Sequence, residues 1–317
     1  ASSAASDVYK RQFLCNAGSL VGFLFPFIFT WIGISNIAPQ GVVPDSVIYS
    51  FYIGAAILIL CVIYTTVKVK EMPPAEYAEY HGITEEEEKE KINMVKLLVK
   101  APKAFWTVGL VQFFCWFAFM FMWTYTNGSV AANVFDAPTV ETAVNGVSKV
   151  MLDTKSIQYQ DAADWVGVLF AVQAIGSVLW AVCIPLFKDR KLIYSLSLVL
   201  GGLGFISTYF VHNQYVLFIS FLLIGCAWAA MLALPFTILT NALSGGHMGT
   251  YLGLFNGTIC IPQIVAASLG GSILALFTPK GMLPPEINML VMAGIMLIIG
   301  AVCVYLIKET KGEQTKA

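Results

Sequence analysis

Uncharged polar side chains set in long apolar runs are the residues of this sequence best placed to do chemistry. Gln112, Trp116 and Trp123 lie along residues 104–126, with Asn127 at the far end of that run. Gln112 and Trp116 are four apart, which puts them on one face of a helix. Gln173 sits in the middle of 163–187, and Asn16 lies early in the first run. Asn256 and Gln263 are seven apart and share a face of 249–277. In lipid such groups are costly unless paired, so they face a bundle interior or a wet cavity. Amides that donate and accept beside indole faces suit a solute with hydroxyls around its edge and an apolar ring face. All eight residues are therefore candidates for binding a sugar-like solute. The same residue types also make interhelical hydrogen bonds and interfacial aromatic belts. Trp106 and Trp165, near run ends, read as belt residues, and Trp123 fits either role.

Gly249, Gly253 and Gly257 repeat every four residues, a stripe expected to let a neighbouring helix pack closely or slide. Pro262 follows, next to Gln263, and can free backbone groups near a site. No span carries a mid-membrane Asp, Glu, Lys or Arg, and Asp136 and Asp164 are only weak candidates for a coupling group. Soluble-enzyme motifs such as GxxxxGK[ST], HExxH and GxSxG do not occur, so no enzyme activity is expected. His81, His212 and His247 share no ligand spacing, and neither a metal nor another cofactor is implied. The seven cysteines each fall in an apolar run and read as small hydrophobes.

The elements that must hold these residues are read from hydropathy. The chain is 58% hydrophobic and 12% charged, against about 25% charged in an ordinary soluble chain. Eight runs poor in charge approach or exceed the ~20 residues needed to cross a bilayer: 13–35, 47–67, 104–126, 163–187, 192–211, 214–242, 249–277 and 287–307, with Asp164 at the edge of its run the one charged residue among them. Backbone satisfaction in lipid, without alternation in these runs, predicts helices. With both chain ends on one side, thirteen of the eighteen Lys and Arg fall in loops on that side and three on the other. That bias places the C-terminus in the cytoplasm. A formal net charge of −1 gives no case for nucleic acid.

The expected organisation follows. Residues 1–12 are a polar stretch that resembles adaptor read-through and is set aside from the fold. Residues 13–67 hold two helices, and 68–103 form a charged cytoplasmic loop with a surface helix, or else a partner-binding segment. Residues 104–309 form a six-helix bundle, and 310–317 a cytoplasmic tail. Two helices, a long cytoplasmic loop and six more helices match helices five to twelve of the twelve-helix major facilitator pattern, which leaves the first four helices to be expected upstream.

Residues 233–271 carry a more specific likeness. Leu234-Pro235, Gly245-Gly246, the run Leu252-Gly253-Leu254-Phe255-Asn256 and Pro262-Gln263 follow in the order seen in plant sucrose–proton symporters. The segment resembles the sucrose and maltose transporters of the glycoside–pentoside–hexuronide type. Lys188-Asp189-Arg190-Lys191 looks like a reduced form of the superfamily's acidic-basic loop between helices eight and nine, with Asp189 and Arg190 at its centre. The wording of 41–56 and 125–138 is similar to bacterial members of the Bacteroidetes kind. The resemblance implies an all-α major facilitator fold in a bacterial inner membrane. It also implies a monomer that moves a disaccharide by alternating access, with proton symport. Plant members carry acidic residues near the outer end of helix seven, where this chain has Trp123 and Tyr125. A carrier for another uncharged solute, or a sugar sensor that does not transport, are the rival readings.

Overall fold

The computed structural model describes residues 2–35, 43–70, 73, 76, 94–144, 147–243 and 248–307. Among the described residues, seven helices are long and apolar enough to cross a membrane. In chain order the elements are α1 (Ser2–Trp31), α2 (Asp45–Lys68), α3 (Met94–Val99), α4 (Lys103–Asn133), β1 (Thr139–Val144) and β2 (Val147–Leu152). After them come α5 (Ile157–Cys183), α6 (Arg190–Ser207), α7 (Leu217–Ala242), α8 (Met248–Phe255), α9 (Gly257–Phe277) and α10 (Ile287–Cys303). Short 3-10 turns, Ile184–Leu186 and Val304–Leu306, extend α5 and α10. The expected run 13–35 forms α1, whose apolar stretch Ala17–Trp31 is shorter than the other seven. α1 also continues back through Ser2–Gln12, which the sequence reading had set aside.

Two features refine the expected layout. The connection 127–162 carries structure of its own: α4 runs on to Asn133, and β1 and β2 then form an antiparallel hairpin with Thr139 opposite Leu152. The strands are rich in Val and Thr, which suit a pleated ribbon. The hairpin marks one end of the bundle, called here the hairpin end. The run 249–277 is interrupted at Asn256, between Gly253 and Gly257. The break falls just ahead of Pro262, whose ring crowds the Thr258 carbonyl and whose nitrogen cannot bond to it.

α4 is the centre of the bundle and packs against α5, α7, α9 and α10. Its partner stripe on α9 is Thr258, Pro262, Ala266 and Gly270, again every four residues. The glycine stripe expected to pack lies elsewhere. No described atom approaches within 4 Å of where a side chain would start at Gly249 or Gly253, and at Gly257 only Ile261 of its own helix does. The close crossings use other glycines. Gly176 of α5 lies against the Leu222 carbonyl of α7, and Gly225 of α7 against the Gln173 carbonyl of α5. Gly202 of α6 and Gly294 of α10 each meet the other's carbonyl. Lipid tails are as apolar as Leu, so helix association depends on such backbone approach rather than on hydrophobic burial.

α1 joins the bundle through α5, with the rings of Phe23 and Phe170 at 5.6 Å. α2 exposes nearly every side chain, Ser46 excepted. Asp189 caps α6, accepting from the backbone N–H groups of Lys191 and Leu192 at 2.9 and 3.1 Å. That cap gives the acidic half of the Asp189-Arg190 pair a local structural job. Of the charged loop 68–103, most lies outside the described residues. Its last helix, α3, is tied to α8 by a hydrogen bond from the Tyr251 hydroxyl to the Leu97 carbonyl. His81 and His247 also lie outside the described residues; His212 is exposed.

Candidate functional site in the α4–α7 seam

Gln112, Trp116, Phe119, Trp123 and Asn127 recur at helical spacing, and they give α4 one polar-aromatic stripe. α7 supplies the opposite wall. Trp228 of α7 contacts Trp116 and Trp123, each with ring centroids at 5.8 Å and near-perpendicular planes. Phe119 lies at 4.9 Å from the same ring. Trp116 and Trp123 are also within 6.4 Å of each other. Trp123, which the sequence left between belt and site, thus joins a three-indole cluster and remains 40% exposed. Trp228 escaped the sequence reading because its surroundings in α7 carry no second polar residue to mark a face.

Gln112 is fully buried, and its Nε2 donates to the Met231 carbonyl at 3.0 Å. The sequence of α7 explains the partner. Met231 is four residues ahead of Pro235, which has no N–H to offer, so the carbonyl lacks its helical bond and the amide supplies one. Two buried polar atoms here have no partner among the described residues: Gln112 Oε1, an acceptor, and Trp116 Nε1, a donor. They sit one helical turn apart. A hydroxyl accepts and donates at once, so a single hydroxyl has the chemistry to engage both.

The Met231–Pro235 arrangement gives a direct prediction. Gln112→Leu orphans the Met231 carbonyl, a cost of about 1–3 kcal/mol that removal of the partnerless Oε1 only partly offsets, so stability falls. With Pro235→Ala a backbone N–H returns to that carbonyl, and the same substitution costs less. Thermal unfolding of the four proteins of this cycle in detergent measures the coupling; additive costs would contradict it.

The remaining candidates are placed as follows. Gln173 is buried on α5 at the glycine crossing with α7, where its own carbonyl packs on Gly225. Asn256 is exposed at the α8–α9 break, and Gln263 is half-buried on α9, off the stripe that meets α4. Pro262 is buried within that stripe. The side chain of Asn16 lies outside the described residues. Trp165 donates to the Gln214 carbonyl at 3.2 Å and stacks on Phe218, whereas Trp106 is exposed. Among the described residues no group of His, Cys, Asp and Glu is arranged to hold a metal. The cysteines are free.

Asn127 belongs to a second polar locus. Its Nδ2 donates to the Tyr159 hydroxyl of α5 at 2.9 Å, while its Oδ1 is buried with no partner among the described residues. Both residues line a cavity of about 300 Å³ at the hairpin end, together with Glu286. The Glu286 carboxylate lies directly against the backbone of Gly128 in α4. Burial pushes this carboxyl up from its ordinary 4.5 to about 7. In sequence Glu286 follows Pro284-Pro285 and precedes the charge-free run of α10, a position that reads as loop and carries no local sign of burial.

The Major Facilitator Superfamily family model matches residues 130–317, more than half of the chain, from the end of α4 through α10. The chain belongs to the Major Facilitator Superfamily. No curated protein matches it. Members of this superfamily are transporters that carry small solutes across membranes, so this is a multi-pass membrane protein of the transporter type. Within that frame, the polar face of α4 and the indole cluster are candidate solute contacts in the helix bundle.

Proposed function

We propose that this major facilitator protein carries an uncharged polyhydroxylated solute, a disaccharide such as maltose or sucrose, by proton-coupled alternating access. One observation carries the reading: Trp116, Trp123 and Trp228 form an aromatic platform beside a buried donor and a buried acceptor that lack partners. Indole faces suit the apolar face of a sugar ring, and the two orphaned atoms suit a hydroxyl. The absence of mid-span charge in the sequence favours a neutral solute over a strongly ionic one. Asn256 and Gln263, on one side of α8–α9, are proposed to reach the solute when the bundle moves. The lysine and arginine distribution supports a cytoplasmic C-terminus in an inner membrane, which puts the hairpin end outside.

Uptake of labelled maltose and sucrose into proteoliposomes that hold the full chain tests the proposal. Saturable uptake of either sugar, driven by an inward proton gradient, is expected. Saturable flux of another neutral solute, with no flux of either sugar, would overturn the substrate class. Sugar binding without flux would favour a sensor. Joint replacement Asn256→Ala with Gln263→Ala should lower uptake; unchanged uptake would remove both from the solute path.

A further inference from the structure

Glu286 is a buried acid with an unusual seat. It occupies the N-cap position of α10 yet makes no capping bond to its own helix. Its side chain turns instead onto α4, where the backbone at Gly128 leaves room for the carboxyl group. Any Cβ at Gly128 would collide with the Glu286 carboxylate oxygens. The adjoining cavity contains Asn127, whose Oδ1 is an acceptor without a donor. Ionised, Glu286 only adds acceptors to this cavity; protonated, it brings an O–H donor.

Among the described residues, few titratable groups face Glu286. From α4 it feels Tyr125, whose ring lies against Gly270 of α9, and from α5 the cavity receives Tyr159. The hairpin side contributes Met151, Leu152 and Thr154, and the approach to α10 contributes Leu283 and Pro284, all uncharged. Lys149 and Lys280 line a separate, larger cavity of about 720 Å³ beside it. Burial is the source of the shift in its carboxyl, and among the described residues no cation opposes it.

We propose that the Glu286 carboxyl is a proton-binding site that latches the hairpin end of the α4–α10 seam. Protonated, it rests on Gly128; ionised, it draws water in and the seam opens. The direction follows from linkage. The seated carboxyl titrates at about 7 and a hydrated one near 4.5, so the closed form holds the extra proton. Closure is therefore strongest below about pH 4.5. It weakens about tenfold per pH unit up to pH 7 and is constant above that. This deepens the proton coupling proposed above and rests on it for the link to solute, but not for the titration itself.

Infrared titration of the full chain in liposomes, from about pH 4 to about pH 9, reads the site directly. A protonated-carboxyl band that disappears near pH 7, and is missing in Glu286→Gln, is expected. Gly128→Ala fills the seat and should move the midpoint down toward the ordinary carboxylate range. Thr154→Cys adds a label position in the cavity, read with a membrane-impermeant maleimide. Its labelling, relative to the same cysteine in Glu286→Gln, should rise with pH up to about pH 7 and then level off. A wild-type midpoint in the ordinary range, or labelling that ignores Glu286→Gln, overturns the latch. A titration near pH 7 in a protein that moves no sugar overturns the substrate reading and leaves the latch standing.

Discussion

Gly294→Val is expected to abolish recovery of folded, monodisperse protein from membranes. A side chain at this point of α10 starts 2.6 Å from the Gly202 carbonyl oxygen of α6 and 2.7 Å from Ile206 Cγ1. The reverse contact is equally tight, since a Cβ at Gly202 starts 2.8 Å from the Gly294 carbonyl oxygen. The first obstacle is backbone, which cannot rotate away as a side chain can. Overpacking in a core typically costs about 1–3 kcal/mol even where side chains can adjust. Here the two helices must separate, and the packing that drives association in lipid goes with them. Size-exclusion profile and thermal unfolding in mild detergent check the result. The control is Gly253→Ala on α8, where no described atom lies within 4 Å. It should be neutral or raise stability by up to about 1 kcal/mol through helix propensity. If both substitutions behave alike, the α6–α10 crossing is not the tight seam described.

Trp116→Phe is expected to separate stability from transport. The indole is 8% exposed and its Nε1 has no acceptor, so the native protein carries a buried, unsatisfied donor. Removing that donor while keeping an aromatic ring should leave the melting temperature unchanged or raise it. A buried orphan costs about 1–3 kcal/mol. Solute uptake should fall, because a hydroxyl that bonded the indole would lose its partner. One such bond corresponds to roughly tenfold to a hundredfold in affinity. Functional sites are where a protein tolerates local violations of polar satisfaction. Uptake and melting temperature that fall together would mean that Trp116 serves packing alone.

Much of the architecture was legible in the sequence. Long charge-free runs can only be helices in lipid, so hydropathy alone located α2, α4–α7, the α8–α9 run and α10 to within several residues. The order of runs and loops was enough to suggest the superfamily that the family match then established. The start of the α4 stripe was also legible, because a spacing of four puts Gln112 and Trp116 on one side whatever the helix packs against.

What only the tertiary structure decided is which of two faces meets which. Spacing identified Gly249, Gly253 and Gly257 as a stripe, but any repeat of small residues looks the same before a neighbour is known. The close crossings fell instead at Gly176, Gly225, Gly202 and Gly294, where another backbone arrives. Trp228 became part of the indole cluster only when α7 was laid against α4. Gln112 found its partner through a proline more than a hundred residues away in sequence. Glu286 shows the same limit for charge: sequence put it in a loop, and only the fold set it on Gly128, out of water. Composition and period act along the chain and can be read there, whereas burial and partnership arise between segments and have no local signature.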